Sequence, residues 1–380
     1  GAGGISKLPG LIAQYGNHAL LVTGQHSFVD SPHWPALRAA LEKAGIGWEQ
    51  TRVSDEPSPQ LVDDAVQQFH GAGITVVVGI GGGSVLDAAK AIAGLLPSGN
   101  SVMDHLEGVG PEKPYHGPAT PFIAVPTTAG TGSEATKNAV LSRRGPNGFK
   151  KSFRDDKLVP EYALLDPDLL ASCPRPQIAA NAMDALTQLL ESYVSNKANP
   201  FTDALAESGL KAVREGLFAW YEGGDEAAAG RSRMAYAALL SGVCLAQTGL
   251  GSVHGLASPL GAFFPIPHGV VCGTLIGAAA RVNLAALRER DPANPAWRKY
   301  ARASDLLHGR HHPSVEESHA ALLALLDEWT ERLALPQLSA YGIQASEFAH
   351  IAAHSRGGSM KTNPLVLSDA EIADILRQRL

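Results

Sequence analysis

Apolar and polar residues alternate in two different ways along the chain, and the change falls near residue 167. From residue 19 to residue 125, short apolar runs alternate with amphipathic stretches. This pattern indicates strands that are followed by helices. The run 74–78 is almost entirely apolar, which is typical of a parallel strand buried on both faces. The pattern predicts strands at 19–22, 47–52 and 74–78, and helices at 34–44 and 60–69.

Beyond residue 167 the chain is rich in Ala and Leu at helical spacing. This spacing predicts a helical second domain. A last strand ends in the segment 162–167, where a proline acts as a stop signal. We therefore expect an α/β domain over residues 1–164 and an all-α domain over residues 165–380. The predicted helices of the second domain include 178–194, 200–213, 232–248, 315–333 and 369–380.

Composition and charge exclude several classes of protein. The chain has 380 residues, of which 45% are hydrophobic, and a formal net charge of -6. It has no block of basic residues, so we expect no nucleic-acid partner. No apolar run approaches the roughly 18 residues of a membrane span, and no signal segment is evident, so we expect a cytoplasmic protein. Cys173, Cys244 and Cys272 lack metal or disulfide spacing and are expected to be buried core thiols.

A glycine-rich turn follows the strand at 74–78 and opens the amphipathic segment 85–93. Gly81, Gly82 and Gly83 leave backbone amides open at the start of a helix, where a pyrophosphate can bind. Ser84 would cap that helix or contact phosphate. The alternative is a tight turn in which the glycines only adopt positive φ.

A second polar loop, at 126–134, follows another strand candidate. Thr127, Thr128 and Thr131 offer hydroxyl groups that suit phosphate or ribose. Ligands of open α/β sheets bind beyond the carboxyl ends of the strands. The two loops therefore predict one nucleotide crevice, although a Thr/Gly loop taken alone is more often only a loop.

His254 and His268 stand fourteen residues apart, each beside glycine and proline. We expect these glycines and prolines to fix the backbone direction, and so to hold the imidazole rings in place better than an ordinary helix would. Asp184 and Gln188 lie four residues apart and would share one face of a helix. Imidazole and carboxylate groups bind Fe(II) or Zn(II), so the set predicts a metal site. In the alternative interpretation, the histidines merely cap loops.

Together these residues resemble the iron-containing, or group III, alcohol dehydrogenase family. The resemblance lies in Gly81-Gly-Gly-Ser-Val-Leu-Asp87, in Pro126-Thr-Thr-Ala-Gly-Thr-Gly-Ser-Glu134, and in Asp184, His254 and His268. It implies a dehydroquinate-synthase-like architecture, with a nucleotide-binding α/β domain and a helical metal-binding domain. It also implies NAD or NADP, Fe(II) or Zn(II), oxidation of an alcohol or reduction of a small aldehyde or ketone, and a homodimer or larger assembly. Asp87 belongs to the implied cofactor loop, and Lys150 matches a lysine near the cofactor ribose, with Lys151 as the alternative register.

Three positions depart from the family pattern. Gln188 stands where the family usually has a fourth, histidine ligand, so metal binding should weaken, with Gln188 assisting or only hydrogen-bonding a neighbour. Ser258 replaces a histidine that relays protons, and it would serve as a hydrogen-bonding relay or fill space. Gly24 stands where NAD-preferring relatives often have an acidic residue, so NADP should be tolerated or preferred, and a plain turn is the alternative interpretation.

A polar loop near the C-terminus carries Arg356 and Lys361. These cations would suit an anionic aldehyde, and solvated surface charge is the alternative. Two further functions stay open. One is a dehydroquinate-synthase-like lyase, and the other is an inactive nucleotide-binding homologue that has lost its metal.

Overall fold

The computed structural model describes residues 1–145 and 148–380. Contacts within the chain divide it into two compact units. The first unit comprises Gly1–Arg143 and Lys150–Cys173, and the second comprises Arg144–Phe149 and Pro174–Leu380.

The first unit is an α/β structure around a parallel sheet, as the apolar pattern predicts. The strand order is β2-β1-β3-β4-β7, and β5 pairs with β6 in a separate ladder. The strands are β1 His18–Gly24, β2 Gly47–Val53, β3 Val76–Gly81, β4 Phe122–Pro126, β5 Asn138–Arg143, β6 Phe149–Arg154 and β7 Tyr162–Ala163. The helices are α1 Leu8–Ile12, α2 His33–Lys43, α3 Pro59–Phe69 and α4 Gly83–Leu95.

Strand β3 lies at the centre of this sheet, and every residue in it is buried. At Gly79 the helix α4 packs so closely that a Cβ would lie 2.9 Å from the Cβ of Ala89. The register pairs Gly81 with Pro126, so β3 and β4 end side by side. The loops that follow these two strands are therefore neighbours.

The second unit is helical, in agreement with the predicted all-α character. Its helices are α5 Arg175–Val194, α6 Pro200–Glu222, α7 Ala227–Thr248, α8 Ser252–Phe263, α9 His268–Arg290, α10 Pro295–His308, α11 Val315–Arg332, α12 Phe348–His354 and α13 Asp369–Arg377. Helix α5 packs against α6, α7 and α9, and α8 packs against α9. Because neighbouring helices cover it, α5 is almost entirely buried along its length.

Helix α9 corrects the expectation that no apolar run is long enough to span a membrane. It has 23 residues and a mean hydropathy of 1.7 over its most apolar window, yet 89% of that window is buried within the protein. Other helices of the unit supply this cover, including α5, α8 and α11. A core helix of a globular protein has this character.

The division between the units falls after Cys173, beyond the predicted boundary at residue 164. The segment after β7 stays with the first unit because the Asp166 carboxylate accepts hydrogen bonds from the backbone amides of Gly3 and Ile5. These long-range contacts leave no signal in local periodicity. Cys173 is partly exposed, so the expectation of a fully buried thiol is wrong there, whereas Cys244 and Cys272 are buried.

Candidate functional site

Four potential metal ligands converge in the second unit. Their ligand atoms all lie within 4.8 Å of one another, and they belong to Asp184 on α5, His254 on α8, and His268 and Cys272 on α9. The Asp184 Oδ1 atom lies 3.2 Å from His254 Nε2 and 3.6 Å from His268 Nε2. Three of the four residues predicted from the sequence, Asp184, His254 and His268, are thus brought together, while Gln188 is not in this group.

Glu191 orients one of these ligands and was not identified from the sequence. Its Oε2 atom accepts a hydrogen bond from Nδ1 of His254 at 2.7 Å, and its Oε1 atom accepts one from the Val253 amide at 2.7 Å. With Nδ1 engaged in this way, Nε2 of His254 faces Asp184. A carboxylate that fixes the second ring nitrogen is the usual support of a metal-binding histidine. The position of Glu191, one helical turn beyond Gln188 on α5, is not a signal by itself, because its partner His254 is 63 residues away in the sequence.

The expected role of glycine and proline around the histidines is wrong. His254 lies within α8, and His268 is the first residue of α9, so both rings are held by helices. The glycines permit close packing instead. A Cβ at Gly255 would lie 2.9 Å from Met360 Cε, and one at Gly269 would lie 2.5 Å from the carbonyl oxygen of Ala180.

Burial and charge act against each other in this cluster. Burial would raise the pKa of Asp184, but the neighbouring His268 and His254 hold it below its ordinary value. Burial would lower the pKa of His254, but Cys272 and the carboxylates of Asp184 and Glu191 raise it well above the ordinary value. Burial raises the pKa of the Cys272 thiol to about 12. The buried carboxylates of Asp184 and Glu191 thus favour positive charge on the groups beside them, as they would favour a bound divalent cation.

Gln188 is buried on α5, and its side chain is engaged by a neighbour. The Oε1 atom accepts a hydrogen bond of 2.7 Å from the hydroxyl of Ser241. Ser258 is half-buried and follows His254 by one turn of α8, so the two side chains share one helix face.

The two predicted nucleotide loops of the first unit lie against each other. A Cβ at Gly82 would lie 3.3 Å from Thr128 Cγ2, and one at Gly83 would lie 2.8 Å from Thr131 Oγ1. The amide of Thr127 donates to the carbonyl oxygen of Gly81 at 2.9 Å. The glycines are therefore required for close approach. Their backbone φ angles are not among the positive ones, which rules out the simple-turn alternative for Gly81, Gly82 and Gly83.

Helix α4 begins at Gly83 with Gly82 as its N-cap, so Ser84 lies inside the first turn and does not cap the helix. The amides at the start of a helix have no intrahelical acceptor and can bind an anion. Asp87 lies one turn further on. It accepts hydrogen bonds from the Ser133 hydroxyl at 2.6 Å and from the Val140 amide at 3.2 Å. Asp87 thus ties the second loop to α4.

Lys90 is completely buried and also links α4 to the second loop. Its ammonium donates to the carbonyl oxygens of Ser133 and Asn138, each at 2.8 Å. Burial lowers the pKa of Lys90 to about 8 and raises that of Glu134 to about 7. The polar groups at the base of the second loop are therefore structural, while Thr128 and Thr131 face the glycine turn.

Lys150 is the lysine that faces inward, whereas Lys151 is exposed. The Lys150 ammonium contacts Glu56 Oε1 at 2.7 Å, and the Ser142 hydroxyl donates to the other Glu56 oxygen. Gly24 ends β1, and a Cβ there would meet Ser27 and Val85 only at 3.9 Å. There is thus room for a larger group beside Gly24.

Arg356 is engaged in a contact within its own unit. Its guanidinium donates to the carbonyl oxygen of Leu367 at 2.6 Å and forms an ion pair with Asp369. Lys361 is exposed. Since a carboxylate already neutralises Arg356, the loop gives little support to the anionic-substrate hypothesis.

Comparison with known proteins shows that both parts of the chain match models of the same protein family. A family model described as iron-containing alcohol dehydrogenase matches residues 1–167, and a model of the C-terminal part of the Fe-containing alcohol dehydrogenase family matches residues 178–380. The chain is 33% identical to alcohol dehydrogenase 4 of Saccharomyces cerevisiae, over 90% of this chain and 86% of that protein. It is 32% identical to 1,3-propanediol dehydrogenase of Citrobacter freundii, over 96% of this chain and 91% of that protein.

Solved structures agree with these matches. A 1,3-propanediol oxidoreductase has a TM-score of 0.89 and 29% identity, covering 100% of this chain and 97% of that one. An iron-containing alcohol dehydrogenase of Thermotoga maritima has a TM-score of 0.82 and 29% identity, covering 99% and 96%.

Proposed function

Because the chain belongs to the iron-containing alcohol dehydrogenase family, it is an oxidoreductase that acts on CH–OH groups, and we propose that it interconverts a small aldehyde or ketone and its alcohol with NAD(P) and a divalent metal. The observation that carries this proposal is the convergence of Asp184, His254 and His268, with Glu191 behind His254. A buried carboxylate and two oriented imidazoles fit Fe(II) or Zn(II).

When bound, the metal supplies Lewis-acid polarisation of a carbonyl group and the nicotinamide supplies or accepts hydride. Asp184, His254 and His268 would hold the metal, and Glu191 would keep the His254 ring in place. Ser258, one turn from His254, would pass a proton between the alcohol oxygen and water. A serine hydroxyl both donates and accepts hydrogen bonds, although it does not titrate near neutrality.

We assign nucleotide binding to the two loops that follow β3 and β4. The amides at the start of α4 would hold the pyrophosphate, and Thr127, Thr128 and Thr131 would supply hydroxyls. Lys150 would contact the ribose. Asp87 would act by holding the second loop in place rather than by contacting the nucleotide, since both of its oxygens accept protein hydrogen bonds.

The absence of a carboxylate at Gly24 supports use of NADP. The test is the ratio of kcat/KM for NADPH to that for NADH. In Gly24→Asp this ratio should fall at least about tenfold, because a carboxylate would repel the 2′-phosphate. An unchanged ratio would contradict the role of Gly24.

Three relatives suggest the substrate class. Their names state activity on 1-propanol, 1,3-propanediol and methanol. We propose a small, neutral aldehyde, because Arg356 is already paired with Asp369. The assay is reduction of propanal, 3-hydroxypropanal and formaldehyde with NADPH or NADH, after loading with zinc or iron. NADPH binding without turnover of any aldehyde in the metal-loaded protein would favour the inactive homologue instead.

We propose a cytoplasmic enzyme that forms a homodimer or larger assembly. Light scattering at micromolar concentration tests the assembly, and a monomer mass would contradict it.

A further inference from the structure

We propose that Cys272 is the fourth protein ligand of the metal and makes this a zinc-preferring Asp/His/His/Cys site. The inference rests on the proposed function, since it assumes that the Asp184 cluster binds metal. It assigns to Cys272 the coordination position that Gln188 was expected to fill.

The positions of the ligand atoms support four-coordinate binding. Zinc binds nitrogen and oxygen at about 2.0–2.1 Å and sulfur at about 2.3 Å, so tetrahedral geometry separates nitrogen from sulfur by roughly 3.5 Å and nitrogen from oxygen by roughly 3.3 Å. Cys272 Sγ lies 3.5 Å from His254 Nε2 and 3.8 Å from His268 Nε2. Asp184 Oδ1 lies 3.2 Å and 3.6 Å from the same two nitrogens. All four separations are close to those of a tetrahedral site.

Helix α9 explains why Cys272 reaches this place. His268 and Cys272 are four residues apart on this helix, so their side chains point to the same side. Helix α9 packs against α5 and α8, which carry Asp184 and His254. One helix thus supplies two ligands across one turn.

The contrast with Cys244 separates a ligand from a core thiol. Cys244 is also buried, but the contact of its sulfur is a weak hydrogen bond of 3.6 Å to the carbonyl oxygen of Thr202. The sulfur of Cys272 instead lies among the ligand atoms of three other residues. Burial alone therefore does not account for the position of Cys272.

Gln188 is the less suitable fourth ligand. Its amide oxygen accepts the Ser241 hydroxyl at 2.7 Å. An amide oxygen is also a harder and weaker donor for zinc than a thiolate. Soft thiolate ligands favour Zn(II) over Fe(II), so the replacement of an imidazole by sulfur shifts the expected metal toward zinc.

The experiment uses Co(II), which substitutes for zinc in zinc sites. A thiolate ligand of Co(II) gives a sulfur-to-metal charge-transfer absorption band in the near ultraviolet. The full-length wild type loaded with one equivalent of Co(II) should show this band. Cys272→Ser should lose it, and the matched variant Cys244→Ser should retain it. Zinc affinity, measured against a competing chelator, should fall at least about tenfold in Cys272→Ser and stay close to wild type in Gln188→Ala.

Far-ultraviolet circular dichroism checks that Cys272→Ser is folded, because the second unit, which holds Cys272, is helical. If Cys272→Ser did not fold, the absence of the band in wild-type protein with Co(II) bound would still overturn the inference. A band that persists in folded Cys272→Ser would overturn it too. In both cases the metal site of the proposed function would stand. A wild type that binds neither Co(II) nor Zn(II) would overturn the proposed function together with the inference.

Discussion

The two units build their candidate sites in opposite ways. In the first unit, the glycine turn and the Thr loop are each formed by consecutive residues that follow adjacent parallel strands. In the second unit, Asp184 is separated from His254 by 70 residues, and Cys272 is separated from His254 by 18. Each loop of the first site is thus local in sequence, and the pairing of β3 with β4 brings the two loops together, whereas the second site exists only after α5, α8 and α9 have packed.

We expect the two sites to be separable, because the residues of each lie within a single unit. A change in the metal cluster should leave nucleotide binding intact, and a change in the glycine turn should leave metal binding intact.

The largest effect is expected from removal of a metal ligand. In His254→Ala, zinc affinity should fall by more than about 100-fold. This loss exceeds the roughly 10- to 100-fold that is typical when a residue that only hydrogen-bonds a metal ligand is removed. Aldehyde reduction should be lost as well. NADPH binding, followed by fluorescence, should be retained. His254→Ala leaves the buried Glu191 carboxylate without its hydrogen-bond partner, which could destabilise the fold. His268→Ala is therefore the second variant, because the His268 side chain is 27% exposed. Undiminished zinc binding in both variants would contradict the site.

The next effect concerns the carboxylate behind His254. In Glu191→Gln, zinc affinity should fall by about 10- to 100-fold, because the imidazole loses the acceptor that orients it. Glu207→Gln is the matched control, since Glu207 accepts a hydrogen bond from Tyr193 instead. Chelator competition measures both affinities, and equal values would assign Glu191 a purely structural role.

A smaller effect is expected in the glycine turn. Gly83→Ala would place a Cβ 2.8 Å from Thr131 Oγ1, so the two loops must move apart. NADPH affinity should fall about tenfold, equivalent to ~1.4 kcal/mol, with the metal content unchanged. Gly10→Ala is the control, because a Cβ there would meet nothing within 4 Å outside its own stretch of α1. If metal content fell together with NADPH affinity, the separation of the two sites would be wrong.

The smallest effect is expected at Arg356. This residue forms an exposed ion pair with Asp369, and such pairs contribute about 0–1 kcal/mol. Arg356→Ala should therefore change KM little, and by the same factor for glyoxylate as for propanal. A KM that rises only for glyoxylate would restore the anionic-substrate hypothesis.

The same contrast explains what the sequence could predict. Periodicity identified the strands of the five-stranded sheet and several helices of the second unit, since it reports local structure, but it missed β5 and β6. It failed for α8 and α9, because Gly255, Pro259 and Gly269 interrupt the pattern as loop residues do. These glycines serve contacts with Met360 and Ala180, which are distant in sequence.

Cys272 was overlooked for the same reason. Its spacing of four residues from His268 becomes meaningful only on a helix, and no helix was predicted there. Glu191 likewise follows Asp184 by two turns of α5, but its partner His254 is 63 residues away. Neither residue is distinguishable from a core or surface residue without the packed structure.

The measurement that tests the central claim most directly is the metal content of the purified protein by elemental mass spectrometry. The protein is produced with zinc and iron, without chelators, beside Asp184→Asn. We predict close to one metal ion per wild-type chain and almost none in Asp184→Asn, with NADPH binding retained in both. A metal-free wild type, or the same metal content in both proteins, would contradict the assignment of the α5, α8 and α9 cluster as the metal site.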